Sequence, residues 1–193
     1  MIILARHGQT TANADGLLLG RADPPLTDIG GRQAESIRLA LAGLDVVRVV
    51  SSPLQRAVAT ASTIACGRPV EVDERWIELD YGEYDGRPVG DVPADVWQTW
   101  RADPHYVPPG GESLVTLGVR VRSACEELLD EVRERDVIVV SHVSPIKAAL
   151  AWALAVGDDV GWRMFVQVAS IARVTVGPWG PNLFSFNEVV AVS

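Results

Sequence analysis

Two of the three histidines in the chain directly follow apolar stretches that have the composition of buried strands. His7, preceded by Arg6, comes after residues 1–5, and His142 comes after residues 137–141. In an open parallel sheet, ligands bind in the crevice beyond the carboxyl ends of the strands. The pattern therefore predicts that both imidazoles and the Arg6 guanidinium face one site.

A second arginine, Arg56, follows another apolar stretch and lies in the first turn of a predicted helix. Two guanidinium groups with two imidazoles suit a tetrahedral oxyanion, above all phosphate. A metal site is the rival interpretation of paired histidines, but neighbouring cations would repel a metal ion. The chain also lacks the HxH and HxxxH spacings that place two histidines on one metal. We therefore expect a phosphate site and no bound metal.

Such a site could attack phosphorus directly, because a neutral imidazole is a good nucleophile near pH 7. The arginines would neutralise the phosphoryl oxygens in the transition state. A carboxylic acid is then needed to protonate the leaving oxygen and afterwards to deprotonate a water molecule. Glu78, which follows the third predicted strand, suits this role, and Asp80, Glu83 and Asp85 remain alternatives.

Strand-like and helix-like patterns alternate along the chain, which predicts an α/β domain around a largely parallel sheet. Two strands in the tail are predicted to pair in antiparallel fashion at the sheet edge. The predicted strands are 1–5, 45–51, 69–73, 137–141, 171–176 and 183–187. The predicted helices run from Thr27-Asp28 to about Leu41, from Ser52-Pro53 to about Cys66, from Glu112-Ser113 to about Arg135, and from Pro145 onward.

We expect residues 1–193 to form a single domain with an irregular insertion at 79–112. The insertion holds all three tyrosines, Trp97, Trp100 and a series of prolines and glycines that favour turns. A loop-rich segment of that length is often a functional lid. A satellite helix that caps one face of the sheet is an equally good interpretation.

The composition excludes several classes of protein. The net charge of −8 provides no basic footprint for nucleic acid. No apolar run approaches the ~20 residues of a membrane span, and no charged leader precedes the first apolar run.

Cys66 and Cys125 are interpreted as reduced core thiols, so we expect a cytoplasmic protein. The apolar segment 165–176 suggests a homodimer formed through an edge strand.

The order of these motifs resembles that of the histidine phosphatase superfamily, the phosphoglycerate mutase-like proteins. Arg6-His7-Gly8 looks like the N-terminal signature of that family, and Ser141-His142 looks like its last block. The resemblance covers residues 1 to about 150 in collinear order. The blocks are 6–10 with Asn13, 20–27 with Gly30 and 33–34, 51–53 with 56–57 and 60–61, 78 with 81–83 and 86, 110–113, and 141–142.

The resemblance implies a three-layer α/β/α sandwich around a mixed, mostly parallel sheet. It also implies His7 as the phosphorylated nucleophile, Glu78 as the proton donor, and Arg6, Arg56 and His142 as the phosphate clamp. For the phosphatase branch of this family we expect no cofactor. The further residues expected to contact phosphate or substrate are Gln9 and Thr10 through their backbone, Asn13, Gly20 and Val143.

Two positions depart from the family pattern. Val143 stands where the family usually has glycine after its second histidine, which should narrow the pocket beside His142. Lys147, the only lysine of the chain, stands where the family usually has arginine. We interpret Lys147 as a structural residue.

The interpretation that accounts best for these residues is that the protein is a metal-independent phosphomonoesterase. It would act through a phosphohistidine on a small phosphorylated metabolite. A cofactor-dependent phosphoglycerate mutase is the alternative, but it needs extra cations, and 79–112 carries only Arg87 and Arg101. A non-catalytic regulator that binds phosphate or a phosphopeptide is a third interpretation. It would be expected to lack His7 or Glu78, and both are present.

Overall fold

The computed structural model describes residues 1–191. Their central sheet has six strands in the spatial order β3-β2-β4-β1-β5-β6. The first four strands in this order run parallel, while β5 is antiparallel to both β1 and β6. The strands are β1 Ile2–Arg6, β2 Val46–Ser51, β3 Glu71–Val72, β4 Asp136–Ser141, β5 Ser170–Gly177 and β6 Gly180–Val189.

Helices cover both faces of this sheet. They are α1 Thr11–Ala14, α2 Asp28–Ala40, α3 Gln55–Ala65, α4 Ala94–Ala102, α5 Leu114–Glu127 and α6 Val143–Ala153. Because side chains of a strand alternate between faces, Ile2 and Leu4 of β1 pack into the core beneath α5 and α6. Ile3 and Ala5 pack into the opposite core beneath α2 and α3. The predicted fold class, an α/β sandwich around a mixed and mostly parallel sheet, is confirmed.

The connections after β1 and β4 open a crevice between these neighbouring strands. The chain leaves β1 toward α2 on one face and leaves β4 toward α6 on the other. Crevices of this kind lie where the direction of winding changes, and they are the usual ligand sites of open α/β sheets. Arg6 lies on the β1 side of this crevice, and His142 lies on the β4 side.

Two helix ends differ from the sequence prediction. α3 begins at Gln55, two residues after the predicted Pro53, with Leu54 as its N-cap. α5 remains the longest helix but ends at Glu127, eight residues before the predicted Arg135. A short 3-10 turn at 131–133 follows, and it buries Val132 beside the sheet. α2 is capped by the side chain of Thr27 as predicted.

The segment 79–112 contains short turns and helix α4. Trp100 of α4 is fully buried in the core beneath α5 and α6, and it stacks on Trp97 at a centroid distance of 5.6 Å. The segment is therefore anchored to the domain at α4. Movement of the segment as a lid stays a prediction.

Two expectations from the sequence need correction. Cys66 is exposed at the end of α3, in a left-handed conformation with φ 50°, so it is not a core thiol. Cys125 is buried as predicted, and burial raises the pKa of its thiol. β5 pairs on both sides, so the segment 165–176 cannot provide a free sheet edge. β6 forms the edge there, and a homodimer stays a prediction.

Within residues 1–191, no helix combines the length and apolar character that a membrane crossing requires. The same residues contain no group of three or more His, Cys, Asp or Glu side chains arranged to hold a metal ion.

Candidate active site

His7 is fixed in the crevice by backbone bonds on both sides. Its N–H donates to Ser141 O of the neighbouring strand end at 3.1 Å, and its carbonyl accepts from Ala169 N at 3.2 Å. The next residue must be small, because a Cβ at Gly8 would collide with the carbonyl of Gly30 in α2. The loop after β1 therefore packs closely between the sheet and α2, and His7 is only 2% exposed.

The surroundings of His7 favour a neutral ring with a lone pair on Nε2. Nδ1 lies 2.7 Å from Gly8 O, and since a carbonyl only accepts, Nδ1 must carry the proton. Burial, followed by the charges of Arg6 and Arg56, lowers the pKa of His7 well below its usual value. The unprotonated Nε2 is therefore available as a nucleophile at neutral and mildly acidic pH.

Arg56 joins the loop after β1 to the loop at 20–22. Its Nε donates to His7 Nε2 at 3.3 Å, and its terminal nitrogens donate to Ala22 O and Gly20 O at 2.7 and 2.8 Å. Arg6 donates through Nη1 to Val166 O at 2.8 Å. Burial lowers the pKa of Arg6 to about 10, so Arg6 remains a cation at neutral pH.

His142 is the N-cap residue of α6 and lies against His7. The two ring centroids are 4.9 Å apart with an interplanar angle of 58°. Nε2 of His142 lies 2.7 Å from the hydroxyl of Ser52, which follows β2. Burial, together with the charges of neighbouring arginines, among them Arg56 and Arg6, lowers the pKa of His142 well below its usual value.

Two buried nitrogens of this group lack partners within the described part of the chain. They are Nε of Arg6 and Nδ1 of His142. Buried polar groups are normally hydrogen-bonded, and unpaired ones commonly mark a place where a ligand binds. An oxyanion beside His7 would supply acceptors to this cationic set, whereas a metal ion would be repelled by the two guanidinium groups.

Glu78 is held at the amino end of α6. Its Oε1 accepts from Leu79 N at 2.7 Å and from Ser144 N at 3.1 Å. Oε2 makes only a 3.5 Å approach to Ser144 N, so it is the freer oxygen for proton transfer. Since Ser144 lies two residues after His142, the buried carboxyl group is placed beside the second histidine.

Two further arginines hold the backbone of Glu78. Arg21 Nε and Arg120 Nη2 donate to the carbonyl of Glu78 at 3.0 and 3.3 Å. Glu112 links these arginines, because its carboxylate accepts two bonds of 2.9 Å from Arg120 and one of 3.4 Å from Arg21. We call Arg21, Glu112 and Arg120 the arginine clasp.

The other acidic candidates have different tasks. Asp85 accepts from Gly20 N and Ala22 N at 2.7 Å each and so shapes the loop that holds Arg56. Asp80 accepts from Gly82 N at 2.9 Å within a turn. Glu83 is exposed. Only Glu78 among the four is buried against the amino end of α6.

The remaining predicted contacts are near His7 but already bonded within the protein. The N–H of Gln9 donates to Gln33 Oε1 at 2.8 Å, and the N–H of Thr10 donates to Asn13 Oδ1 at 3.0 Å. Gly20 serves Arg56 through its carbonyl. Direct contact of these residues with phosphate stays a prediction.

A cavity adjoins the crevice on the α6 side. Val143, the first residue of α6, lies in its wall, together with Lys147 one turn further along the helix. Ser144 also lines the cavity, and its hydroxyl lies 3.1 Å from that of Tyr81. Val143 therefore lines this cavity, and a narrowing of the pocket beside His142 by Val143 stays a prediction.

Sequence reasoning missed Ser52 and the arginine clasp. A signal exists for Ser52, because it follows β2 as His7 follows β1, although Ser52-Pro53 also has the form of a helix start. Arg21 and Glu112 lie in blocks that resemble the family, but the sequence does not show that they meet Arg120 on a distant segment. They meet because the folded chain places the loop at 20–22 and α5 against Glu78.

Comparison with known proteins is consistent with this geometry. The model of the histidine phosphatase superfamily (branch 1) matches residues 2–189. Phosphoserine phosphatase 1 of Hydrogenobacter thermophilus is 34% identical over 180 residues, which are 90% of this chain and 85% of that protein. A bifunctional protein of Mycobacterium tuberculosis is 36% identical over 178 residues, which are 89% of this chain. The match covers only 49% of that relative, so this chain spans about half its length.

Among solved structures, a mycobacterial glucosyl-3-phosphoglycerate phosphatase complexed with VO3 has a TM-score of 0.87 at 29% identity. The superposition covers 97% of this chain and 98% of that one.

Proposed function

The chain belongs to the histidine phosphatase superfamily, and from this premise we propose that it is a metal-independent phosphomonoesterase. Its substrate is a small phosphorylated metabolite, and the reaction proceeds through a phosphohistidine at His7. The names of its phosphatase relatives support the reaction class.

The observation that carries the proposal is the state of His7. Its Nδ1 donates to Gly8 O, its pKa is lowered, and its Nε2 faces the guanidinium of Arg56 at 3.3 Å. A neutral, oriented nucleophile beside a cationic clamp is the arrangement that phosphoryl transfer to nitrogen requires. Arg6, Arg56 and His142 would bind the three non-bridging oxygens of the phosphoryl group.

The reaction divides into two displacements. In the first, the Nε2 lone pair of His7 forms a bond to phosphorus while the ester P–O bond breaks, and Glu78 gives a proton to the departing oxygen. In the second, a water oxygen attacks phosphorus while the carboxylate of Glu78 takes a proton from that water. The P–N bond then breaks, which restores the lone pair to His7 and releases inorganic phosphate.

The test is phosphate release from a panel of phosphate monoesters in excess EDTA, with acid-quench trapping of a labelled phosphoenzyme. We expect turnover and an acid-labile phosphoenzyme in the unchanged chain, and neither in His7→Ala. His105→Ala is the matched control, because His105 is the one histidine outside the site and it is exposed. Loss of activity in EDTA with recovery on adding Mg²⁺ or Zn²⁺ would overturn the proposal, as would a phosphoenzyme in His7→Ala.

A phosphoglycerate mutase would share the phosphohistidine but would transfer the phosphoryl group to a bound phosphoglycerate. Within 79–112, Arg87 lies over the ring of Tyr84 and Arg101 over the ring of Trp162, at 5.6 and 5.7 Å. These cations are thus engaged with aromatic rings. We therefore expect negligible interconversion of 3- and 2-phosphoglycerate. Isomerisation that is faster than phosphate release and stimulated by 2,3-bisphosphoglycerate would favour the mutase instead.

A further inference from the structure

The cavity beside the crevice is mainly apolar but contains one ammonium group. We call it the side cavity and define it by Leu18, Trp97, Leu114, Val143, Lys147 and Trp162, which all line it. Its walls combine residues from α4, α5, α6 and the 3-10 helix at 158–163 with a residue from the loop after α1. Such a surface suits the organic part of a ligand rather than its phosphate.

The side cavity borders the residues that position Glu78 for proton transfer. Val143 and Ser144, in its wall, directly follow His142, and Ser144 N donates to Glu78 Oε1. The alcohol oxygen of a substrate must approach Glu78 to receive a proton. The body of that alcohol would therefore extend past Val143 and Ser144 into the side cavity.

Lys147 is unusual in this setting. Among residues 1–191 its ammonium group takes part in no ion pair. Burial lowers the pKa of Lys147, and the nearby charges of Glu78 and Arg6 act on it in opposite directions. A partly buried cation without a partner is unfavourable, and a bound anion would relieve this.

The other charged residue of the cavity wall does not serve as that partner. Asp158 lines the cavity, but its Oδ1 accepts from Arg122 Nη1 at 2.8 Å. Gly118 of α5 leaves room for this carboxylate, since any side chain there would collide with it. A ligand carrying an ammonium group would consequently meet a free cation and an occupied carboxylate. Trp162 also lines the cavity, and its buried indole N–H has no partner in the described residues.

We propose that Lys147 is a specificity residue that selects phosphomonoesters whose alcohol has a ring-sized apolar body bearing one carboxylate. The phosphate lies at His7, the apolar body lies between Val143, Leu114 and Trp162, and the carboxylate pairs with Lys147. This assignment replaces the structural interpretation of Lys147 from the sequence. It rests on the proposed phosphatase function and names the substrate class of that site.

The test compares benzyl phosphates that differ in charge but have similar leaving groups. The substrates are 3- and 4-carboxybenzyl phosphate, the corresponding carbamoylbenzyl phosphates, and 4-aminomethylbenzyl phosphate. We expect kcat/KM for the better carboxybenzyl ester to exceed that of its carbamoyl partner by about 10- to 100-fold, the usual worth of a charge-assisted bond. The effect should lie mainly in KM. The aminomethyl ester should be the poorest substrate.

Variants of Lys147 make the comparison specific. In Lys147→Gln the ratio of carboxybenzyl to carbamoylbenzyl kcat/KM should fall toward one, and in Lys147→Arg it should be largely retained. Arg133→Gln is the matched control, because it removes the same charge from an exposed residue outside the side cavity. A ratio that Lys147→Gln leaves unchanged would overturn the proposal, and so would preference for the carbamoyl ester in the unchanged chain.

The apolar half of the proposal is tested with 3-phosphoglycerate, which has a carboxylate and a primary leaving alcohol but no ring. A higher kcat/KM for phosphate release from 3-phosphoglycerate than from carboxybenzyl phosphate would overturn that half. Absence of phosphate release from every ester would instead overturn the proposed function. The two failures are therefore distinguishable.

Discussion

At the scale of single residues, the protonation of His7 decides whether the site can act as a nucleophile. A free imidazole, with a pKa near 6.5, would be about nine-tenths protonated at pH 5.5. Burial and the charges of Arg6 and Arg56 lower the pKa of His7, so the neutral form persists as the pH falls through this range. We expect the ring resonances of His7 to remain at their neutral positions from pH 8 to 5.5 in an NMR titration.

His142 should behave in the same way, because burial and the charges of Arg56, Arg6 and Arg120 lower its pKa. Spectra of His7→Ala and His142→Gln assign the two signals. A midpoint near 6.5 for the His7 signal would contradict this account of the nucleophile.

Glu78 gives a second prediction at this scale. Glu78→Gln removes the transferable proton while it keeps an oxygen for Leu79 N and Ser144 N, so we expect correct folding and a kcat lower by about 10²–10⁴-fold. The loss should be large for alkyl phosphates and small for nitrophenyl phosphate, whose leaving oxygen needs no proton. Asp80→Asn is the control. Equal losses for both classes of ester would assign proton transfer to another group.

Residues at strand ends could be identified from the sequence, and residues that act through them could not. His7, Arg56 and His142 each follow an apolar run, so the topology of a parallel sheet brings them together. The residue pattern alone leaves four acids open as proton donor, and the family resemblance points to Glu78. In the structure, burial and the bond from Ser144 N set Glu78 apart from the other three acids. The residue pattern could not show this, because a contact between a loop and the start of a helix has no periodicity.

At the scale of elements, the arginine clasp ties helix α5 and the loop at 20–22 to the backbone of Glu78. The side chain of Glu112 is 11% exposed and forms ion pairs with both arginines. Glu112→Gln should therefore weaken the hydrogen bonds that hold the Glu78 carbonyl, while the side chains that react with the substrate stay unchanged. We expect kcat for alkyl phosphates to fall about tenfold and kcat for nitrophenyl phosphate to fall less. The free energy of unfolding should fall by about 1–3 kcal/mol.

Glu126→Gln is the control for this experiment, since Glu126 lies on α5 but is exposed. If Glu112→Gln lowers stability while both classes of ester lose activity equally, the clasp supports the fold alone and does not position the acid.

The ends of the helices show where sequence patterns lose precision. Ser52-Pro53 has the form of a helix start, yet α3 begins at Gln55. The hydroxyl of Ser52 bonds to His142 between the neighbouring ends of β2 and β4. The apolar spacing from Leu117 to Val132 continues past the end of α5 because Val132 is buried from a 3-10 turn. In both cases a tertiary contact, which periodicity cannot reveal, determines the boundary.

At the scale of the whole molecule, the sandwich encloses two histidines that the folded state holds neutral. His7 is 2% exposed and His142 is fully buried, and both have a lowered pKa. Below pH 6.5 the unfolded chain binds protons at these histidines while the folded chain does not, so the unfolded state gains stability as the pH falls. The contribution of the two neutral histidines to the free energy of unfolding is therefore fully present above pH 6.5, and it is lost as the pH falls below that value.

We therefore expect the free energy of unfolding to decrease by up to about 3 kcal/mol between pH 7.5 and 5.5, since each excluded proton is worth about 1.4 kcal/mol per pH unit. Urea denaturation at closely spaced pH values measures this slope. His7→Gln and His142→Gln should each remove about half of it, even where they lower stability at pH 7.5, because neither glutamine titrates. His105→Gln should leave the slope nearly unchanged, since His105 lies on the surface. A stability that stays flat from pH 7.5 to 5.5 would mean that the folded protein accepts protons at the crevice, and the neutral nucleophile would then have to be abandoned.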